Sequence, residues 1–231
     1  MSWAWQPWTI TDLALQPVDA TYRLQNITRP SGLAIDFPTV CQHLRIGSST
    51  GPEAVNQQTL IQAMIAAAAG EVERYCDMAV LTQKWRLFTA SLTGRPAYYY
   101  SSMAYPYRGY DQPRFLLPKP PLASVDLVSV DGNTVNASLY TVVRDDRLPG
   151  SLVIGSSFPM SATALPNSII VEFTCGYATA AAIPPELVQA MLLMIGTWFM
   201  NRESAMAYTL SVLPEIGVAD LLAPYKSEVL A

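Results

Sequence analysis

The stretch "IPPELVQAMLLMIGTWFMNRES", residues 183–204, decides how this chain folds. From Ala190 to Met200 it is apolar except for Thr197, a run of eleven residues. A membrane-spanning helix needs about 20 apolar residues, whereas runs of about 10–14 are more often buried helices. Glu186 and Gln189 precede the run, and Asn201, Arg202 and Glu203 close it. Pro184 and Pro185 suit the first turn of a helix, where a missing N–H costs little, and Glu186 suits the positive end of the helix dipole. The apolar positions go nearly all the way round. The stretch therefore predicts a helix covered on most faces, not a membrane anchor.

Working towards the N-terminus, Leu60, Ile61, Met64, Ile65, Ala68, Val72, Tyr75 and Cys76 recur at helical spacing, which predicts a helix from residue 53 or 59 to 77. Upstream, "FPTVCQHLRI" (37–46) reads as a short helix, and "GSSTGPEAVNQQ" as a loop that turns helical. After Ala79 the texture changes. "VLTQKWRLFTA" alternates and is rich in β-formers. A strand ending at Asp131-Gly132 carries a hairpin signal, "YTVVRDDRLPGSLVI" is a second hairpin with residues 144–150 as its turn, and "NSIIVEFTCGY" is a further strand. Helices thus bracket a small antiparallel sheet, an α+β architecture.

Three segments fit neither pattern. Residues 1–36, with Trp3, Trp5 and Trp8, read as an arm whose indoles pack onto the parent domain or a neighbour. Residues 95–114, "RPAYYYSSMAYPYRGYDQPR", hold Tyr98, Tyr99, Tyr100, Tyr105, Tyr107 and Tyr110, a composition suited to contact. Residues 207–231 read as a tail, interrupted at Pro214, with Ile216 to Leu222 forming a turn or two.

Of 231 residues, 51% are hydrophobic and 14% charged, against about 25% charged in an ordinary soluble domain. Such a chain, with 12 Tyr, 5 Trp and 9 Met, is expected to hide surface against partners, where aromatics and Met are enriched and charges depleted. The N-terminus lacks the basic and continuous apolar regions of a signal peptide. A net charge of −4 argues against tight phosphate binding. Cys41, Cys76 and Cys175 are too few and too scattered for a disulfide framework and read as buried free thiols.

Catalytic chemistry fails on inspection. "GSSTG" (47–51) matches the G-x-S-x-G pattern, but the only histidine, His43, precedes Ser49 instead of following it. Cys41 and His43 lack the further ligands of a zinc site. Asp145 and Asp146, between Arg144 and Arg147, read as a self-neutralised hairpin tip. The sequons at Asn26 and Asn136 matter only in a secretory context. No enzyme, metal or cofactor is expected.

Taken in order, "PTVCQHLRI", "LIQAMIAAAAGEVERYCDMAVLTQKW", "LPKPPLASVDLVSVDG", "YTVV", "IIVEFTCGY" and "IPPELVQAMLLMIGTWFMNRES" resemble the head–tail connector (adaptor) proteins of long-tailed double-stranded DNA bacteriophages, over roughly residues 37–203. The resemblance implies a helical bundle carrying a β insertion. It divides the chain into an arm (1–36), a helical part (37–80), the insertion (81–181), the bundle helix (182–206) and a docking tail (207–231). It further implies a virion protein of the neck, made in the host bacterial cytoplasm and assembled as a ring, usually of twelve. The ring would sit between the portal and the stopper or tail-completion protein, and double-stranded DNA would pass through it without specific binding.

On that reading Leu213, Ile216, Leu221, Leu222, Tyr225 and Leu230 are expected to dock the portal. The tyrosine loop is expected to touch the next tail-ward protein or an adjacent subunit. Trp198, Asn201, Arg202 and Glu203 form the family-like helix end. The competing reading is a carbohydrate- or protein-binding β module of a phage tail or surface accessory protein, with the tyrosine loop as its ligand site.

Overall fold

The computed structural model describes residues 22–92, 114–163, 165–201 and 212–226, with side chains in the last segment from residue 217 onward. The expected sites at Trp3, Trp5 and Trp8, on the six tyrosines of the 95–114 loop, and at Arg202, Glu203 and Leu230 lie outside the described residues.

Among the described residues there are five α-helices, and several of their ends have a local cause. Helix α1 (Phe37–Leu44) starts at Asp36, whose carboxylate accepts the Thr39 N–H at 3.2 Å, and it stops where Arg45 turns left-handed. Helix α2 (Pro52–Asn56) is a single turn before α3 (Gln58–Cys76), which ends at Asp77, also left-handed. Helix α4 (Pro185–Met200) is the apolar stretch read first. The one polar side chain inside its run is satisfied locally, since the Thr197 hydroxyl donates to the Leu193 carbonyl at 2.9 Å. Helix α5 (Val212–Leu222) runs into a 3₁₀ turn, Ala223–Tyr225. Pro214 does not break it, contrary to expectation: it lies in the first turn, where the absent N–H has no intrahelical partner to lose. No described helix is long and apolar enough to cross a membrane.

Among the described residues, eight strands form two antiparallel sheets where sequence pointed to one. Strands β1 (Tyr22–Thr28), β2 (Gln83–Thr89), β8 (Ile169–Cys175), β4 (Leu122–Val130) and β5 (Asn133–Thr134) make a sheet in the order β1-β2-β8-β4-β5. Strands β3 (Arg114–Leu116), β7 (Ser151–Ile154) and β6 (Tyr140–Val143) make the second, in the order β3-β7-β6. Asp131-Gly132 forms the predicted turn between β4 and β5, with φ positive at both residues. Gly176, just after β8, has φ +95°, and a Cβ there would sit 2.2 Å from the Leu81 carbonyl oxygen. The close approach of two chain segments at this point requires glycine.

The fold corrects the reading of residues 1–36 as an arm: residues 22–28 are the edge strand β1, antiparallel to β2 with Tyr22 opposite Thr89. Ala34 and Ile35, further along, are buried in the core.

Two apolar clusters fill the molecule. One joins α1, α3, α4 and the C-terminal turn through Val40, Ile61, Ile65, Leu187, Met191, Ile195, Leu222 and Tyr225. The other lies between the sheets and holds Leu87, Phe115, Leu117, Leu152, Val171 and Phe173. They meet where α3 hands over to β2. There Glu73 accepts the Val80 N–H at 2.9 Å and the Gln83 amide at 2.7 Å, and Gln83 accepts from the Asn26 amide at 2.9 Å. Asp77 pairs with Lys119, and the Ala79 N–H donates to Pro120 at 2.8 Å. Burial of Glu73 pushes its carboxyl up, against the pull of the Val80 and Gln83 hydrogen bonds.

Candidate docking surfaces

The residues first suspected of chemistry are placed for structure. Ser49 sits in the turn between α1 and α2, not on the strand-to-helix elbow that a G-x-S-x-G nucleophile needs. His43 packs its Nε2 beside Gly196 of α4, where a Cβ would meet it at 3.3 Å. Cys41, Cys76 and Cys175 are buried and free. Burial pushes the Cys76 thiol up to about 11, and burial together with the nearby Glu73 carboxylate pushes Cys175 up to about 12. Both shifts disfavour the thiolate, the nucleophilic form. Among the described residues no group of three or more His, Cys, Asp or Glu side chains is arranged to hold a metal ion. Asp145 turns inward on its own hairpin and accepts the Arg147 and Leu148 N–H groups, each at 2.8 Å.

The tail residues are divided by the structure. Leu222 and Tyr225, expected as free anchors, are 2% and 3% exposed within the chain's own helical core, and Val218 and Leu221 pack against the same core. This is a correction with a simple cause: the end of α3 and the start of α4 leave an apolar seat that the tail fills. The Tyr225 hydroxyl donates to Glu186 at 3.1 Å, and the Cys76 sulfur lies 3.8 Å from the Leu222 carbonyl. Burial pushes Tyr225 up, and the Glu186 hydrogen bond and charge add to the shift. The Arg147 guanidinium stands 5.5 Å over the Tyr225 ring, and Lys226 stands 5.5 Å over Tyr75. Leu213 and Ile216 lie on α5, without described side chains.

These contacts also orient the bundle. The end of α3 and the start of α4 share the tail, so α3 and α4 run antiparallel, and the start of α3 lies at the same far end as the finish of α4. Among the described residues, that far end exposes apolar side chains. Met200 is 78% exposed, and Val55 and Leu60 are exposed with it. Trp198 is half-buried against the core, and the Asn201 amide caps α4 by donating to Thr197 at 2.9 Å.

At the β4–β5 turn, Asp131 clamps a loop. Its carboxylate accepts from Ser161 at 2.8 Å, the Ala162 N–H at 2.8 Å and Thr163 at 2.9 Å. These bonds hold the Asp131 carboxyl below the usual range, with the Ala162 bond contributing most. Phe158 roots the same loop, packed edge-on to Tyr140, while Met160 projects at 68% exposure and Leu165 is exposed beside it.

Sequence reasoning missed both of these surfaces. The signal it passed over is the absence of charge: residues 57–70 and 156–168 carry no ionisable side chain. The outer face of the five-stranded sheet, in contrast, is self-neutralised. Arg86 donates to Glu172 at 2.9 Å, and Lys84 stands 3.0 Å from Glu172 and 3.3 Å from Asp126.

No family model and no curated protein matches this chain. Solved structures share its fold. A chain in the neck of an empty gene transfer agent (GTA) particle, computed with C6 symmetry, aligns with a TM-score of 0.66 at 20% identity, over 89% of this chain and 95% of that one. A chain in the virion of a native GTA particle aligns with a TM-score of 0.62 at 20% identity, over 88% and 95%. A third, in the neck of a native GTA particle computed with C12 symmetry, gives 0.56 at 17% identity, over 87% and 95%. At these identities the likeness is one of fold, and it runs through nearly the whole of both chains.

Proposed function

We propose that this chain is a structural protein of the neck of a phage-like particle and, more finely, its head-to-tail adaptor. The observation that carries the reading is the fold shared over 87–89% of this chain and 95% of chains from GTA necks and virions. In the proposed assembly the copies form a ring, twelvefold by analogy with the C12 neck. Its two axial neighbours are the portal and the stopper or tail-completion protein, and double-stranded DNA passes through without being gripped. Three features support this. Head-to-tail contacts that close make rings. The protomer exposes large apolar side chains in two separate places, Met200 on the bundle and Met160 on the loop clamped by Asp131, as a part with more than one neighbour requires. A net charge of −4 disfavours retention of phosphate. The role is structural and non-enzymatic, carried out in the virion neck after synthesis in the host cytoplasm.

The tail retains a place in this reading with its residues reassigned. Leu222 and Tyr225, with the partly buried Leu221, fix the tail to the protomer, leaving Leu213, Ile216 and Leu230 for the portal. Removing residues 227–231 is expected to weaken binding to the portal from the same genome while leaving the unfolding midpoint unchanged. Removing 213–231 also strips Leu222 and Tyr225 from the core and lowers the midpoint. Full portal binding by the shorter truncation, measured by co-sedimentation, contradicts a role for Leu230, and full binding by both contradicts tail docking.

A further inference from the structure

We propose that Glu73 is the polar end of a pocket, the size of one side chain, that takes an arginine or lysine from a second copy of this chain. The pocket is a cavity of about 170 Å³ between α3 and the segment that leads into α1. Small-molecule sites run to about 300–1,000 Å³, so this one is sized for a single side chain. Pro30 and Gly32 line it from the segment before α1, and Ala66, Ala69 and Gly70 line it from α3. Glu73 is the one charged group among the described residues of the lining.

The chemistry of the lining selects a cation. Within the chain Glu73 uses one carboxylate oxygen, Oε1, which accepts both the Val80 N–H and the Gln83 amide. Among the described residues no hydrogen bond reaches Oε2, and no cationic nitrogen stands within 4 Å of the carboxylate. Lys119, whose charge reaches Glu73, is paired with Asp77, and Arg74, next along α3, is paired with Glu71. Burial raises the Glu73 carboxyl by more than these partners lower it, so its charge is under-compensated in the protomer. The small apolar walls suit the methylene stem of a lysine or arginine, with the charged head reaching the carboxylate.

A second copy has such a group to offer. Arg29, Arg45 and Arg144 are exposed, with no carboxylate within 4 Å among the described residues, whereas Lys84, Arg86 and Lys119 are engaged by carboxylates of their own chain. The approach is clear as well. Ala63, Ala66, Ala67 and Gly70 are exposed along α3, and nothing lies within 4 Å of where Gly70 would carry a Cβ. A pocket on one copy filled by a cation from elsewhere on the next is a head-to-tail contact, the kind that closes into rings. The contact requires only that copies associate; its place in a neck ring rests on the function proposed above.

The test is sedimentation velocity on the full-length chain over a concentration series, alone and then with the portal from the same genome. Glu73→Gln removes the charge, and Gly70→Phe fills the mouth of the pocket while leaving the Glu73 hydrogen bonds in place. Each is expected to weaken association of the copies by about tenfold or more. The unfolding midpoint of Gly70→Phe stays at the wild-type value, and Gly70→Ala associates as the wild type does. Undiminished association in Gly70→Phe, or a loss confined to Glu73→Gln and matched by a lowered midpoint, makes Glu73 a scaffold residue and overturns the pocket. Loss of portal binding with the copies still associating assigns the pocket to the portal instead. A wild-type chain that stays monomeric in both conditions has no second copy to bind, and either result overturns the proposal. The neck reading fails by a different outcome, the absence of any portal complex while the copies still associate through the pocket.

Discussion

The outer face of the five-stranded sheet and the far end of the helical bundle treat solvent in opposite ways. On the sheet face, Arg86, Lys84, Glu172 and Asp126 neutralise one another, and Asp126 also accepts the Ser124 and Thr174 hydroxyls at 2.7 and 2.8 Å. Among the described residues the bundle end carries no such network, and Met200, Val55 and Leu60 are exposed. The sheet face is finished as a surface of a monomer. The bundle end, like the exposed Met160 on its clamped loop, is the surface of a part. The difference locates where partners are expected without any ligand to mark the place.

Mutations sharpen this contrast, and the largest effects belong to positions common to both regions. Phe173→Ala in the sheet core and Ile195→Ala in the bundle core remove fully buried side chains and are expected to cost about 3–5 and 2–5 kcal/mol respectively, read from denaturant midpoints. If either cost falls below about 1 kcal/mol, that core is not packed as described. Gly176→Ala forces a Cβ against the Leu81 carbonyl at positive φ and is expected to cost at least about 2 kcal/mol.

Smaller effects distinguish the two surfaces. Glu172→Gln weakens the ladder by about 1 kcal/mol at low salt, and by less as salt is raised. Burial by itself would raise the Glu172 carboxyl, but the hydrogen bonds from Arg86 and Lys84 outweigh it and hold the group below the usual range. Asp126 behaves likewise through Ser124, Thr174 and Lys84. A carboxylate lowered on folding stabilises the fold above its unfolded pKa, and that stability is lost as pH falls through the folded value. Native stability is therefore expected to drop below about pH 4, with a shallower acid limb in Glu172→Gln. Met200→Asp, at the unfinished end, is expected to shift stability by no more than about 0.5 kcal/mol while reducing self-association or partner binding. A change in the midpoint with assembly intact would reverse the assignment of the two surfaces.

How much of this was legible in the sequence depended on how local the determining contacts are. Helix α3, helix α4 and strands β2, β4 and β8 are long, strongly patterned segments, and they appear within a few residues of where periodicity put them. Strand β1 was missed because it is an edge strand: only Tyr22, Leu24 and Asn26 turn to the partly buried side, and its partner lies some 60 residues away. The division into two sheets was hidden for a similar reason, since β3 and β7 pair across more than 30 residues and β3 has only three. At the candidate surfaces, Tyr225 looked like an available anchor because nothing near it in sequence reveals Glu186, Cys76 or Arg147. Charge-free runs at 57–70 and 156–168 were visible, but which of their residues face water is a tertiary property.

The most direct test of the adaptor reading is multi-angle light scattering on the purified full-length chain, alone and then mixed with the portal from the same genome. The account predicts a closed ring from the chain alone, or a complex of fixed stoichiometry that forms on the portal. A persistent monomer that ignores the portal at concentrations well above those of assembly would contradict it.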